Sequence, residues 1–261
     1  MTLRARASAQ VAVLDWGIGG TALLADLRSQ RPDLALLYVS DSGYTPYGRL
    51  SKAHLCARLN HLLRALAEQG VSHVVLACNA ASSTLGDLQL PPDVTVAGVI
   101  DPTLRTLLDL APPTVTILGG IRTIDSGVYS QPLREAGISA QGIIAQPLSA
   151  LVEAGQVRGA QVEREIALLA RSAPQAHHTL VPACTHYLAL REQLQAAFNP
   201  QQVIDPAQET LRWLLPRLPV KTHNRGSLRC MTSGDPRSMR RAAQRAFGVQ
   251  LSAITKLVLR P

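Results

Sequence analysis

Two cysteines in matching surroundings carry the most chemical capacity in this 261-residue sequence. Val74-Val75-Leu76-Ala77-Cys78-Asn79 and Leu180-Val181-Pro182-Ala183-Cys184-Thr185 each read as an apolar strand, then Ala-Cys, then a small polar residue. A thiol ionises near pH ~8.5 and can be tuned toward neutrality, which makes it a workable acid or base. His186 stands two residues after Cys184, close enough to promote a thiolate or relay its proton. Asn79, Ser82 and Ser83 follow Cys78, and Thr185 follows Cys184, so donors suited to a carboxylate accompany both thiols. Buried structural cysteine is the plain alternative. A cysteine protease needs one thiol and one base, and a redox pair usually lies close in sequence. Two thiols facing one carbon can instead remove a proton from one side and return it on the other. That is stereoinversion beside a carboxylate.

Alternating elements must position these groups. Short apolar runs over Val11–Leu14, Leu34–Val39, Val74–Ala77, Val94–Ile100, Val115–Leu118 and Thr179–Ala183 read as buried strands. Between or after them, helical patterning covers Thr21–Gln30, Lys52–Glu68 (closed by Gly70), Arg158–Arg171, Tyr187–Ala197 and Glu209–Leu215. Strands alternating with helices predict parallel sheets with helices on both faces. Ligands then bind beyond the carboxyl ends of strands, where Asp15, Asp41, Cys78, Asp101, Gly119 and Cys184 fall. The repeated Ala-Cys segment predicts two similar α/β domains with mainly parallel sheets, related by pseudo-twofold symmetry. Residues 1–101 with 208–261 would form one domain and 102–207 the other, with the site in the cleft between them.

Composition narrows the classes. At 46% hydrophobic and 17% charged the chain is globular, and 3% aromatics means an aliphatic core. No apolar run approaches the ~20 residues of a membrane span, and residues 1–10 lack a signal-peptide core, so a cytoplasmic protein is expected. The +8 charge concentrates late, in Arg237, Arg240, Arg241 and Arg245 at helical spacing. Little aromatic residue is interleaved to stack bases, which argues for a solvated basic helix over nucleic-acid binding. The four cysteines show neither CxxC nor a disulfide framework, so no metal is expected. Gly17-Ile18-Gly19-Gly20-Thr21-Ala22 matches the dinucleotide fingerprint, with Asp41 as a candidate ribose acid. A glycine turn opening a helix serves any anion, so this motif alone does not decide the matter.

Six segments in order resemble the glutamate racemases of the cofactor-independent aspartate/glutamate racemase superfamily. They are Asp15–Gly20, Pro46-Tyr47-Gly48, Cys78–Ser82, Thr123–Tyr129, Cys184–Tyr187 and Thr232–Pro236. The resemblance spans about Val11 to Gly248. It implies amino-acid racemisation without metal, pyridoxal phosphate or nicotinamide, D-glutamate supply for peptidoglycan in a bacterial source, and a homodimer. Cys78 and Cys184 would be the acid/base pair, assisted by Asp15 on one side and by His186 with Glu153 on the other. Asn79, Thr123 and Thr185 would hold the α-carboxylate. The backbone around Pro46, Tyr47 and Gly48 would hold the side-chain carboxylate, with Asp41 a weaker candidate. His54, His61, His73, His177, His178 and His223 have no evident chemical partner.

The sequence departs from the family at two of these places. Trp16 stands where Ser is usual after the first Asp, and Ala80 where Thr is usual after Cys-Asn. An indole either turns away from the cleft or narrows it. Losing a hydroxyl bond to a charged group costs roughly 1.5–3 kcal/mol. Both thiols survive, so proton transfer is expected while the substrate is open to aspartate or another amino acid. A single-thiol decarboxylase is disfavoured by the two cysteines. A non-catalytic binding or regulatory protein on the same fold takes its support from Trp16 and Ala80.

Overall fold

The computed structural model describes residues 11–174, 178–218 and 225–259; His177 and His223 lie outside them. Its strands are β1 (Val11–Asp15), β2 (Leu36–Ser40), β3 (His73–Leu76), β4 (Thr95–Gly98), β5 (Thr114–Gly119), β6 (Ser139–Ile144), β7 (Thr179–Ala183), β8 (Gln202–Val203), β9 (Leu228–Thr232) and β10 (Ile254–Lys256). They form two sheets, ordered β10-β9-β2-β1-β3-β4 and β6-β5-β7-β8. Every pairing is parallel.

The order 2-1-3-4 in the first sheet recurs as 6-5-7-8 in the second. β3 and β7 therefore occupy equivalent places, and the Ala-Cys segments that follow them are the equivalent ends of a repeated unit. In each sheet the chain leaves the first strand of the unit for one neighbour and later returns to its other side. These are the switch points where open α/β sheets bind ligands: β1/β3 in one sheet and β5/β7 in the other.

Burial on both faces explains the continuous apolar strands. Along β1, Val11 and Val13 join a core with Leu23, Leu24 and Leu27 of the helix Thr21–Gln30. Ala12 and Leu14 face the opposite side and meet Leu55, Leu59, Leu62, Leu63 and Leu66 of the helix Lys52–Glu68. Ser51 caps that helix by accepting the His54 N–H at 3.2 Å, and Gly70 ends it at φ 78°. The second sheet alternates likewise. Leu118 and Leu180 pack against the helices Gln146–Glu153, Ala160–Ala170 and Arg191–Phe198, while Val115, Ile117 and Val181 pack on the other face.

Two expected elements differ. The strand read over Val94–Ile100 ends at Gly98, and Ile100 opens the helix Ile100–Leu110. Apolar residues alone could not mark where a buried strand becomes a buried helix. The helix read over Tyr187–Ala197 begins as a tighter 3₁₀ turn, Thr185–Leu190, before the helix Arg191–Phe198. The late arginines fall on the helix Pro236–Phe247, capped by Asp235, with Arg237, Arg240, Arg241 and Arg245 exposed as expected of a solvated face. Among the described residues no helix is long and apolar enough to cross a membrane.

Asp41, after β2, is fully buried and points away from the cleft. Its oxygens accept from Arg58 Nε at 2.8 Å and Nη2 at 2.6 Å, from Tyr47 Oη at 2.9 Å and from Ser233 Oγ at 2.7 Å. The Arg58 guanidinium also stacks 4.3 Å over the Tyr44 ring. Asp41 thus anchors the loop carrying Pro46, Tyr47 and Gly48, which displaces both the ribose reading and the side-chain carboxylate reading. Replacing it leaves Arg58 without its counter-charge. Asp41→Ala is expected to lower unfolding stability by about 3–5 kcal/mol in urea titration. A loss below about 1 kcal/mol would remove Asp41 as the anchor.

Candidate functional site

The two switch points face each other across one cavity of about 60 Å³. It is lined by Asp15, Trp16, Pro46, Tyr47, Gly48, Cys78, Asn79 and Ala80 from the first half, and by Thr123, Cys184 and His186 from the second. Gly120, Arg122, Gln146, Ser149 and Ala183 complete the second wall. The volume matches about five waters, which suits a small amino acid and is far too small for a dinucleotide.

The glycines explain why the halves can approach so closely. A Cβ at Gly17 would fall on the Glu153 carboxylate, and one at Gly19 on the Thr185 hydroxyl group. The Gly-rich turn therefore clears space for the opposite half, and its amide at Ile18 donates to Glu153 Oε2 at 2.9 Å. Further bonds cross the junction. Thr185 Oγ1 donates to Asp15 Oδ2 at 2.8 Å, Tyr129 Oη to Asn79 Oδ1 at 2.8 Å, and Arg122 Nε to the Tyr47 carbonyl at 3.3 Å.

The two thiols have different surroundings. Burial pushes the Cys78 thiol well up, and the Asp15 carboxylate adds to it. The backbone N–H groups of Ala81 and Ala80 oppose that rise. Cys184 Sγ lies 3.7 Å from His186 Nδ1, and His186 Nε2 lies 2.7 Å from Glu153 Oε2. Burial alone would lower the His186 imidazole; its bonds to Cys184 and Glu153 outweigh that and hold it well above its ordinary value. At neutral pH the arrangement is a protonated Cys78 on one wall and, on the other, a Cys184 beside a charged imidazole. Burial raises Asp15, against the opposing influence of His186, Thr185 and the Gly17 amide.

Most of the expected residues meet at the cavity. Glu153 and Thr185 stand one layer behind it. Thr185 was expected on the α-carboxylate, but its hydroxyl donates to Asp15. Trp16 does not leave the cleft: it lines the cavity, its indole N–H donates to the Tyr44 carbonyl at 3.0 Å, and its ring centroid lies 6.5 Å from that of His186. Sequence reading missed Arg122, Gln146, Ser149 and Tyr129. Arg122 and Tyr129 lie in or beside the Thr123–Tyr129 segment already singled out, so a charge next to a motif residue was the available signal. Asn79 is 2% exposed, and with its oxygen held by Tyr129 its Nδ2 has no partner among the described residues. Asn79 lines the cavity, so an unused donor is stored at its wall. Among the described residues no cluster of His, Cys, Asp or Glu could hold a metal ion. Cys56 and Cys230 lie outside the cavity.

A cavity between repeated α/β halves, with one thiol from each, is a site where two acid/base groups can face one carbon. Residues 25–214 match the sequence family described as Asp/Glu/Hydantoin racemase, and the chain belongs to that family. It is 35% identical to the glutamate racemase of Pseudomonas entomophila over 72% of each chain. It is 29% identical to that of Carboxydothermus hydrogenoformans over 97% of this chain and 98% of the other. The fold matches the crystal structure of Francisella tularensis glutamate racemase in complex with D-glutamate. There the TM-score is 0.85 at 22% identity, covering 97% of this chain and 98% of that one.

Two measurements probe the electrostatics. Activity that needs a charged His186 is present at neutral pH and lost as pH rises through its raised value. His186→Gln should lower kcat/KM about 100-fold at pH 7 and abolish that alkaline decline; an unchanged decline would remove the imidazole from the ionisation. Asp15 has the opposite effect on stability, because the unfolded carboxyl ionises first, near pH ~3.9. Native stability therefore falls as pH rises from there through the raised native value. Asp15→Asn should raise Tm at pH 7 and leave it nearly unchanged below pH 4, whereas equal shifts at both would contradict burial as the cause.

Proposed function

We propose that this protein interconverts L- and D-glutamate by cofactor-independent proton transfer between Cys78 and Cys184. The observation that carries this reading is one thiol from each half on the walls of a single amino-acid-sized cavity. A thiolate on one side takes the α-proton while the thiol on the other gives its proton to the opposite face. The carbon keeps four bonds and an inverted configuration, and the two sulfurs exchange protonation states. Asp15 assists Cys78, and His186, steadied by Glu153, assists Cys184. Asn79 and Thr123 hold the α-carboxylate, which stabilises the charge that develops on deprotonation. The names of the relatives support glutamate as substrate.

The same reading takes residues 1–101 with 208–261 as one domain and 102–207 as the other, which agrees with sheet membership. It places the protein in the cytoplasm as a homodimer supplying D-glutamate for peptidoglycan. Trp16 and Ala80 favour a second reading, racemisation of another amino acid, because both line the cavity.

Proton NMR in D2O separates these readings. L-glutamate and D-glutamate, incubated separately, should each lose the α-proton signal and yield the other enantiomer. Cys78→Ser and Cys184→Ser should both stop racemisation. Exchange with aspartate or another amino acid and none with glutamate would select the second reading. Silence across the panel from folded protein would refute racemisation.

A further inference from the structure

Among the described residues, Arg122 is a cation without a counter-ion at the wall of the cavity. It sits in the short helix Ile121–Asp125 that follows β5, and it lines both the cavity and the wider groove outside it. Among the described residues its one side-chain hydrogen bond runs from Nε to the Tyr47 carbonyl. No carboxylate is within ion-pair distance of it there, in contrast to Arg58 and Arg191, which pair with Asp41 and Asp205. A guanidinium carries five donor hydrogens, and most of these remain available. Asp15, the one carboxylate on the cavity wall, is already engaged by Thr185 and the Gly17 amide.

Two donors of different strength face the cavity from opposite halves. One is the neutral Asn79 Nδ2, fixed by Tyr129 on the wall that carries Cys78. The other is the charged fork of Arg122, fixed by Tyr47. Trp16, Pro46, Ala80 and Ala183 add apolar surface to the lining. The Tyr47 carbonyl is itself an acceptor and would repel a carboxylate. By binding Arg122, it turns that end of the cavity from acceptor into donor. An incoming anion would form charge-assisted, bidentate hydrogen bonds with the guanidinium.

We propose that Arg122 is a specificity-determining residue that binds the side-chain carboxylate of an acidic amino acid. It makes the cavity selective for dicarboxylic over amide or neutral side chains. This rests on the racemase reading for the orientation of the substrate. It assigns to a side chain what the family resemblance placed on the backbone around Tyr47 and Gly48.

The test compares the wild type with Arg122→Gln and Arg122→Lys, each shown to be folded by its melting curve. Steady-state α-proton exchange is measured with L-glutamate and L-glutamine, and D-glutamate and D-glutamine binding by calorimetry. Arg122→Gln should raise KM for glutamate about 10- to 100-fold with a smaller change in kcat, leave glutamine no worse, and weaken D-glutamate binding alike. Arg122→Lys should fall between. Unchanged glutamate KM, or equal losses for glutamate and glutamine, overturns the proposal. If the wild type exchanges no amino acid, calorimetry decides. D-glutamate binding lost only in Arg122→Gln sustains the role of Arg122 while the racemase reading fails. Equal binding in both, or none to the folded wild type, overturns the role of Arg122 as well.

Discussion

The Glu153 carboxylate is the junction on which the site depends. It comes from the second half, accepts an amide from the Gly-rich turn of the first, and holds the imidazole that faces Cys184. A carboxylate in this position needs every oxygen bond it can form. It can form them only where Gly17 has no side chain and where β1 ends at that height. The spacing of the two halves, the orientation of His186 and the conformation of the first turn are therefore one constraint. Thr185 and Asp15 make a second tie beside it, so each half fixes a group belonging to the other.

This constraint also accounts for the inequality of two cysteines that the chain presents in equivalent topological places. A two-base inversion needs one sulfur protonated and the other not, and identical surroundings would leave nothing to set which. Cys78 has a buried carboxylate nearby, and Cys184 has a charged imidazole. The repeat supplies opposed positions, and the non-repeated neighbours supply the difference in charge. A buried cluster of this kind lowers stability relative to an apolar core, which is the usual exchange at a functional site.

Much of this was legible in the sequence, and the limits have physical causes. Both helices Thr21–Gln30 and Lys52–Glu68 were readable to the residue, the first from the glycine turn that opens it and the second from its apolar stripe and its Ser51 cap. The half-exposed β6 and the short β8 and β10 escaped because brief strands at sheet margins carry little pattern. The repeated Ala-Cys segment announced two halves and one shared cleft, and the sheet order 2-1-3-4 and 6-5-7-8 bears that out. Cavity residues inside motifs were found because chemistry restricts their types. Arg122 and Gln146 were missed because each sits in the first turn of a helix that follows a strand, where many residue types are compatible until the opposite wall is known. Thr185 was found but its partner was not, because a hydroxyl beside a thiol in sequence gives no sign of a carboxylate 170 residues away.

The two departures from the family pattern work together in one direction. Trp16 extends its ring across the cavity wall and ties itself to Tyr44, whose own ring lies under Arg58. Arg58 in turn holds Asp41, and Asp41 holds Tyr47. The large side chain therefore does more than reduce volume. It joins the chain of contacts that sets the Tyr47 carbonyl, and that carbonyl sets Arg122. A pocket that has lost hydroxyls at two positions becomes drier and less polar, and in a drier pocket a guanidinium binds an anion more strongly. In that setting the role proposed for Arg122 adds one strong charge to the neutral donors of Asn79 and Thr123, and the two thiols stand where the repeat places them.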